Sequence, residues 1–138
     1  MSISDRFQSW APRILGALRI IAGALFACYG VQKVFGLFGG MPPGVPKALI
    51  WSAGSIELVC GVLITIGLFT RLAAFIASGE MAVGYFMVHL PNGFWPIENK
   101  GELAVAFCFV FLYIASHGGG RFSLDHVLRK QTRRTPAF

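Results

Sequence analysis

Charge is scarce in this chain of 138 residues. Asp, Glu, Lys and Arg make up 13 % of it, against roughly 25 % in soluble domains. A soluble domain this small must solvate most of its surface, so the shortage excludes an ordinary soluble fold. A disordered chain is excluded as well, because 55 % of the residues are apolar. Cysteine is limited to Cys28, Cys60 and Cys108, each in an apolar stretch and none in a close pair. That leaves no disulfide scaffold, no zinc spacing and no pair of exchange-competent thiols. The three read as small buried hydrophobes. Histidine is limited to His89, His117 and His126. His89 and His117 fall at opposite ends of their helices and cannot share one haem iron. No trio of His, Cys and carboxylate has metal-ligand spacing. No strand pattern is evident, so no phosphate loop or dinucleotide fingerprint has the context it needs.

What is abundant is apolar sequence, in four segments: residues 14–38, 48–69, 72–90 and 102–116. They predict an all-α integral membrane four-helix bundle that fills the chain as a single domain, with a tail over 117–138. None of the four has 18 consecutive residues free of charges and breaks, so the strict span rule fails. The energetics allow an exception. A central charge costs roughly 2.5–3.5 kcal/mol, and each Leu, Ile, Phe or Val returns about 0.3–0.6 kcal/mol. A helix of some 20 residues therefore carries one charge if it faces its neighbours. Gly39 to Pro46 reads as a loop, Thr70-Arg71 as a tight hairpin, and Gly118-Gly119-Gly120 as a helix stop. Asn99-x-x-Glu102 reads as a capping box for the fourth helix. Two amphipathic flanks predict short interfacial helices at both termini. One carries Ile3, Phe7, Trp10 and Ile14. The other carries Leu124, Val127 and Leu128 after Ser123, a good N-cap.

Leu25-Phe26-Ala27-Cys28 imitates a lipoprotein cleavage box, but Arg19 interrupts the apolar core a signal peptide requires. The segment reads as an uncleaved first span. Net charge is +6, yet the basic residues form neither a face nor a stripe for nucleic acid. They sort by side of the membrane. Arg6, Arg13, Arg71, Arg121, Arg129, Lys130, Arg133 and Arg134 share the side of the termini; Lys33, Lys47 and Lys100 share the other. The positive-inside rule then predicts both termini in the cytoplasm.

The informative residues are the charges within spans. Gly16-x-x-Arg19-x-x-x-Gly23, Gly54-x-x-Glu57-x-x-x-Gly61 and Ala77-x-x-Glu80-x-x-x-Gly84 repeat one pattern. Steps of three and four put each charge on the face of its small neighbours. Small residues allow close helix approach, so that face looks into the bundle. At 1.5 Å per residue, Arg19 lies about 10 Å deep, Glu57 about 18 Å and Glu80 about 12 Å. An arginine side chain bridges that spread. An inner cluster of Arg19, Glu57 and Glu80 is expected, with one carboxylate protonated because a single cation faces two acids. A second set, Lys33, His89, Trp95 and Glu102, is expected at the outer mouth. Met81, Met87 and the phenylalanines read as packing or lipid-facing residues.

These residues resemble the DoxX family of small bacterial membrane proteins. The resemblance rests on Leu18-Arg19, Gly30-Val-Gln-Lys33, the Gly54–Gly61 motif, Gly67-Leu-Phe-Thr-Arg-Leu-Ala-Ala74, Val88-His-Leu-Pro-Asn-Gly-Phe-Trp95, Gly101-Glu-Leu-Ala104 and Arg121-Phe-Ser-Leu-Asp125. Gly118-Gly119-Gly120 stands where such proteins often carry Gly-Pro-Gly. The resemblance implies a four-helix bundle in the bacterial inner membrane. It also implies a link to quinone-coupled sulfur oxidation or to thiol redox and oxidative-stress assemblies. The family's intramembrane charges map onto Arg19, Lys33, Glu57 and Glu102. No catalytic residue is assigned.

Three functions are compatible with these residues. One is a membrane subunit of a quinone- or thiol-linked oxidoreductase complex, with quinone held among the inner charges. Another is a small transporter or proton-coupled carrier using Glu57 and Glu80. The third is an anchor for soluble redox enzymes. The lipid bilayer is the first partner, redox proteins and a second copy of the chain are the others, and nucleic acid is not among them. Replacing Arg19 by Ala is expected to lower the yield and melting temperature of detergent-extracted protein more than replacing Lys33 by Ala.

Overall fold

The computed structural model describes residues 2–134. At its start the Ser2 hydroxyl accepts from the Asp5 N–H (3.2 Å) while the Asp5 carboxylate accepts from the Ser2 N–H (2.8 Å). This reciprocal cap satisfies two donors of the first turn. Helix α1 then runs unbroken from Ile3 to Phe35. The flank carrying Ile3, Phe7, Trp10 and Ile14 is thus the beginning of α1, not a separate interfacial helix. Pro12 removes one backbone donor there without ending the helix. The 33 residues of α1 measure about 50 Å, so the helix overreaches a hydrocarbon core of roughly 30 Å. It stops at Gly36, whose φ of +68° is a left-handed cap.

Five helices follow: α2 (Lys47–Ile66), α3 (Thr70–Gly84), α4 (Pro96–Asn99), α5 (Glu102–His117) and α6 (Leu124–Arg134). A π turn, Tyr85–His89, and a 3-10 turn, Leu90–Asn92, prolong α3. No strand occurs among the described residues. Three stretches, Ile3–Phe35, Lys47–Ile66 and Thr70–Asn92, are long and apolar enough to cross a membrane. Helix α5 is apolar but has 16 residues, about 24 Å. Gly118 ends α5 with φ +83°, and the Ser123 hydroxyl accepts from the His126 N–H to start α6. The expected capping box at α5 does not form. Asn99 closes α4 instead. Its side-chain oxygen accepts from the Gly101 N–H (2.8 Å), and its amide donates to the Gly93 carbonyl (2.8 Å).

Helix α1 packs along α2, α5 packs along α3, and α2 joins the two pairs. The α1–α2 contact is backbone against backbone. A Cβ placed on Gly30 would collide with the backbone of Leu58, and one placed on Gly61 would collide with the backbone of Ala27. These glycines set both the separation and the register of the two helices. The interior is a small aromatic and aliphatic core. Phe26 of α1 meets Phe111 of α5 edge-on, ring centroids 4.8 Å apart, and Ile64, Ile114 and Ala74 close around them. Outside, Val59, Phe75, Val83 and Phe109 are all more than half exposed. So much contiguous apolar surface suits lipid, not water. The molecule is a helical bundle of the membrane.

Gly30→Ala should destabilise the bundle by about 1–3 kcal/mol, since overpacking must push the α1 and α2 backbones apart. Gly79 has open space where a Cβ would go, so Gly79→Ala should be neutral or stabilising by up to about 1 kcal/mol. Melting temperatures of the two variants in one mild detergent check both signs.

Candidate functional site

The buried charges form two groups, not one. Glu57 of α2 is 2 % exposed. Its Oε1 accepts from the Lys33 ammonium of α1 in the one ion pair found among the described residues. Glu80 of α3 lies close enough to Glu57 and Lys33 to interact with both charges. One oxygen of each carboxylate, Glu57 Oε2 and Glu80 Oε2, is buried without a hydrogen-bond partner. Glu57 sits near mid-membrane, about 15 Å from Lys47 and about 14 Å from Ile66 along α2. Lys33, with its side chain 18 % exposed, and the half-buried Glu80 reach the bundle surface.

Arg19 is elsewhere. Its guanidinium is fully buried and donates to three carbonyls: Ile64 (2.6 Å), Thr65 (2.7 Å) and Phe122 (2.6 Å). The expected cluster of Arg19, Glu57 and Glu80 is therefore divided. The cation beside the acids is Lys33, and Arg19 caps the last turn of α2. The reason is register. Antiparallel packing puts Ala27 opposite Gly61 and Gly30 opposite Leu58. Arg19, two turns nearer the termini, then faces the end of α2, where unpaired carbonyls attract a donor.

The outer-mouth set is not brought together either. Lys33 turns inward to Glu57. His89 is half-buried, stacks on Tyr85, and places Nδ1 3.1 Å from the Asn99 carbonyl oxygen. Trp95 is exposed at the start of α4, and Glu102 is exposed in the first turn of α5. No three His, Cys, Asp or Glu side chains converge among the described residues.

Three further residues organise the end that carries the termini. Arg71 donates to the carbonyls of Ala115 (3.1 Å), Ser116 (2.6 Å) and His117 (3.3 Å), capping α5 as Arg19 caps α2. Asp125 does the converse. Its carboxylate accepts from the N–H groups of Phe69 (2.8 Å) and Thr70 (2.9 Å) at the start of α3, and its own N–H donates to the Gly67 carbonyl (2.9 Å). Gly67 is needed here. Its φ is +74°, and a Cβ would strike Ser123 and the Arg19 guanidinium. Sequence reading singled out neither Asp125 nor Arg71 as a cap. The usable signal was their position: one acid and one base beside helix ends of matching polarity.

The DoxX family model matches residues 14–90. An uncharacterised protein of Haemophilus influenzae is 38 % identical, over 92 % of this chain and 99 % of its own length. An uncharacterised membrane protein of Mycobacterium tuberculosis is 28 % identical, over 89 % of this chain and 90 % of its own. A Bacillus subtilis protein provisionally named oxidoreductase CatD is 26 % identical, over 78 % of this chain and 81 % of its own. No solved structure matches.

Burial alone would raise the Asp125 pKa. Hydrogen bonds from Thr70 and Phe69, with Arg129 nearby, outweigh it and hold the carboxyl below its ordinary value. A depressed folded-state pKa stabilises the fold above the unfolded-state pKa, and that contribution disappears as pH falls through the folded-state value. Asp125→Ala should cost about 0.5–2 kcal/mol at neutral pH, as for a lost N-cap. The gap from wild type should close on acidification. Melting temperatures of both proteins across the acid range check this.

Proposed function

The chain belongs to the DoxX family, and on that footing we propose that it serves as a membrane subunit of a quinone- or thiol-linked oxidoreductase complex. In this reading it lies in the bacterial inner membrane with both termini in the cytoplasm. The observation that carries the reading is the Lys33–Glu57–Glu80 centre. It sets one cation against two acidic side chains near mid-membrane. Two of its oxygens, Glu57 Oε2 and Glu80 Oε2, lack partners. Intramembrane charges of this kind mark ligand or proton sites by default. The name of the Bacillus relative supports a redox setting.

A quinone headgroup fits the donor set. When bound, a quinone supplies a two-electron, two-proton couple. In this reading the Lys33 ammonium donates a hydrogen bond to a ring oxygen. Glu57 Oε2 and Glu80 Oε2 are the atoms able to hold and pass protons. Electrons come from a redox partner protein. The preponderance of Lys and Arg at the end carrying the termini supports the orientation, and it gives acidic soluble partners a cytoplasmic face to approach.

Quinone extracted from protein purified in mild detergent, measured by mass spectrometry, tests the reading. Wild type should retain it in stoichiometric amount. Glu80→Gln leaves the Lys33–Glu57 pair intact and should lose retention at least about tenfold, or roughly 1.4 kcal/mol, with an unchanged melting temperature. Wild type free of quinone, or a Glu80→Gln variant that keeps it, overturns the quinone site. Substrate-dependent proton flux in vesicles would then establish the carrier. Recovery of a soluble partner that depends on residues 121–138 would establish the anchor.

A further inference from the structure

The segment from Arg121 to Gln131 makes a groove of about 790 Å³, lined by Arg121, Phe122, His126, Val127, Lys130 and Gln131. Three features define what it can hold. Its position is fixed. Phe122 is tied to Arg19 and Asp125 to the α2–α3 turn, so α6 lies where two spans end. Its lining is mixed. Phe122 is 59 % exposed and Val127 48 %, and both adjoin the level where the apolar spans stop. Its polar side is basic and unsatisfied. The side chains of Arg121, His126 and Lys130 make no hydrogen bond or ion pair among the described residues. His126 and Lys130, one helical turn apart, share a face of α6, and no carboxylate is among the described residues that line the groove.

We propose that this groove binds the headgroup of an anionic phospholipid. Arg121 and Lys130 engage the phosphate, the His126 imidazole adds a hydrogen bond, and Phe122 and Val127 lie against the start of the acyl chains. The ligand class follows from charge and depth together. A groove of cations beside apolar side chains, held at the end of a bilayer span, matches a lipid that is anionic at its head and apolar just below. A soluble acidic protein would match the cations but would leave Phe122 and Val127 uncovered. This assignment requires only that the bundle sits in a bilayer and is independent of the redox reading.

The test uses the full chain in nanodiscs made from equal amounts of phosphatidylglycerol and phosphatidylcholine. Native mass spectrometry then counts lipids retained on release. Wild type should keep phosphatidylglycerol in preference to phosphatidylcholine. Arg121→Gln/Lys130→Gln should weaken that preference by roughly fivefold per basic residue, about 25-fold in all. Arg129→Gln/Arg133→Gln removes the same charge from α6 outside the groove and should change it little. Melting temperatures of all three proteins check that the fold is kept. Equal retention of the two lipids by wild type overturns the proposal. So does an equal loss in both double variants, which would mark diffuse attraction of the whole tail. If the groove variant unfolds, Lys130→Gln alone reads the same preference, and an unchanged ratio there overturns the proposal.

Discussion

Helix ends that must close within a membrane impose the central constraint on this chain. The last carbonyls and first N–H groups of a helix have no partners within it, and hydrocarbon offers none. At the end carrying the termini, three side chains meet that need. Arg19 takes the carbonyls closing α2, Arg71 takes those closing α5, and Asp125 takes the N–H groups opening α3. Each charge has the sign that the helix dipole favours at its position. Because Arg19 comes from α1 and Asp125 from α6, the same bonds join segments of the chain far apart in sequence. The closing of the helices and the closing of the fold are one event.

That constraint explains the division of the intramembrane charges. An arginine with both terminal nitrogens on carbonyls is a structural cation. Lys33 and Glu57 pair with each other, leaving oxygens on Glu57 and Glu80 unclaimed. The bundle thus separates a layer of helix caps near its termini, in which Arg19 Nε and Thr70 Oγ1 also lack partners, from a layer of carboxylates at mid-depth. Chemistry is to be sought in the second.

Much of the architecture was legible in the residues. Apolar length located the helices, and Gly118 and Ser123 marked a stop and a start. The tight hairpin expected at Thr70-Arg71 has its link at residues 67–69 instead, and Thr70 and Arg71 already belong to the first turn of α3. The partners of the charges were not legible, because helix periodicity gives a face but not a register. Pairing Arg19 with Glu57 needed a side chain to cross about 8 Å of depth. The glycine contacts of Gly30 and Gly61 decide the register instead, and they bring Lys33 to Glu57 without that reach. The N-terminal flank departs from expectation for another reason. Pro12 looks like a boundary, but a proline within an otherwise good helix costs a hydrogen bond without forcing a stop. Asn99 resembles a cap because its spacing to Glu102 fits one, while the chain instead uses its amide to fold the turn around Gly101.

The polar centre also has an electrical address. Arg19, Thr70 and Ser123 are buried at the end carrying the termini, whereas Lys33 comes from the opposite end of α1 and is partly exposed. On the proposed reading, a charge that reaches Glu57 from the Lys33 side and is stopped by those buried side chains crosses about half of the bilayer. A full crossing is worth about 2.3 kcal/mol per 100 mV, so occupancy of the centre shifts by about 1.2 kcal/mol over that range. On the proposed reading, the depth of the Lys33–Glu57 pair therefore couples whatever charge it holds to the membrane potential.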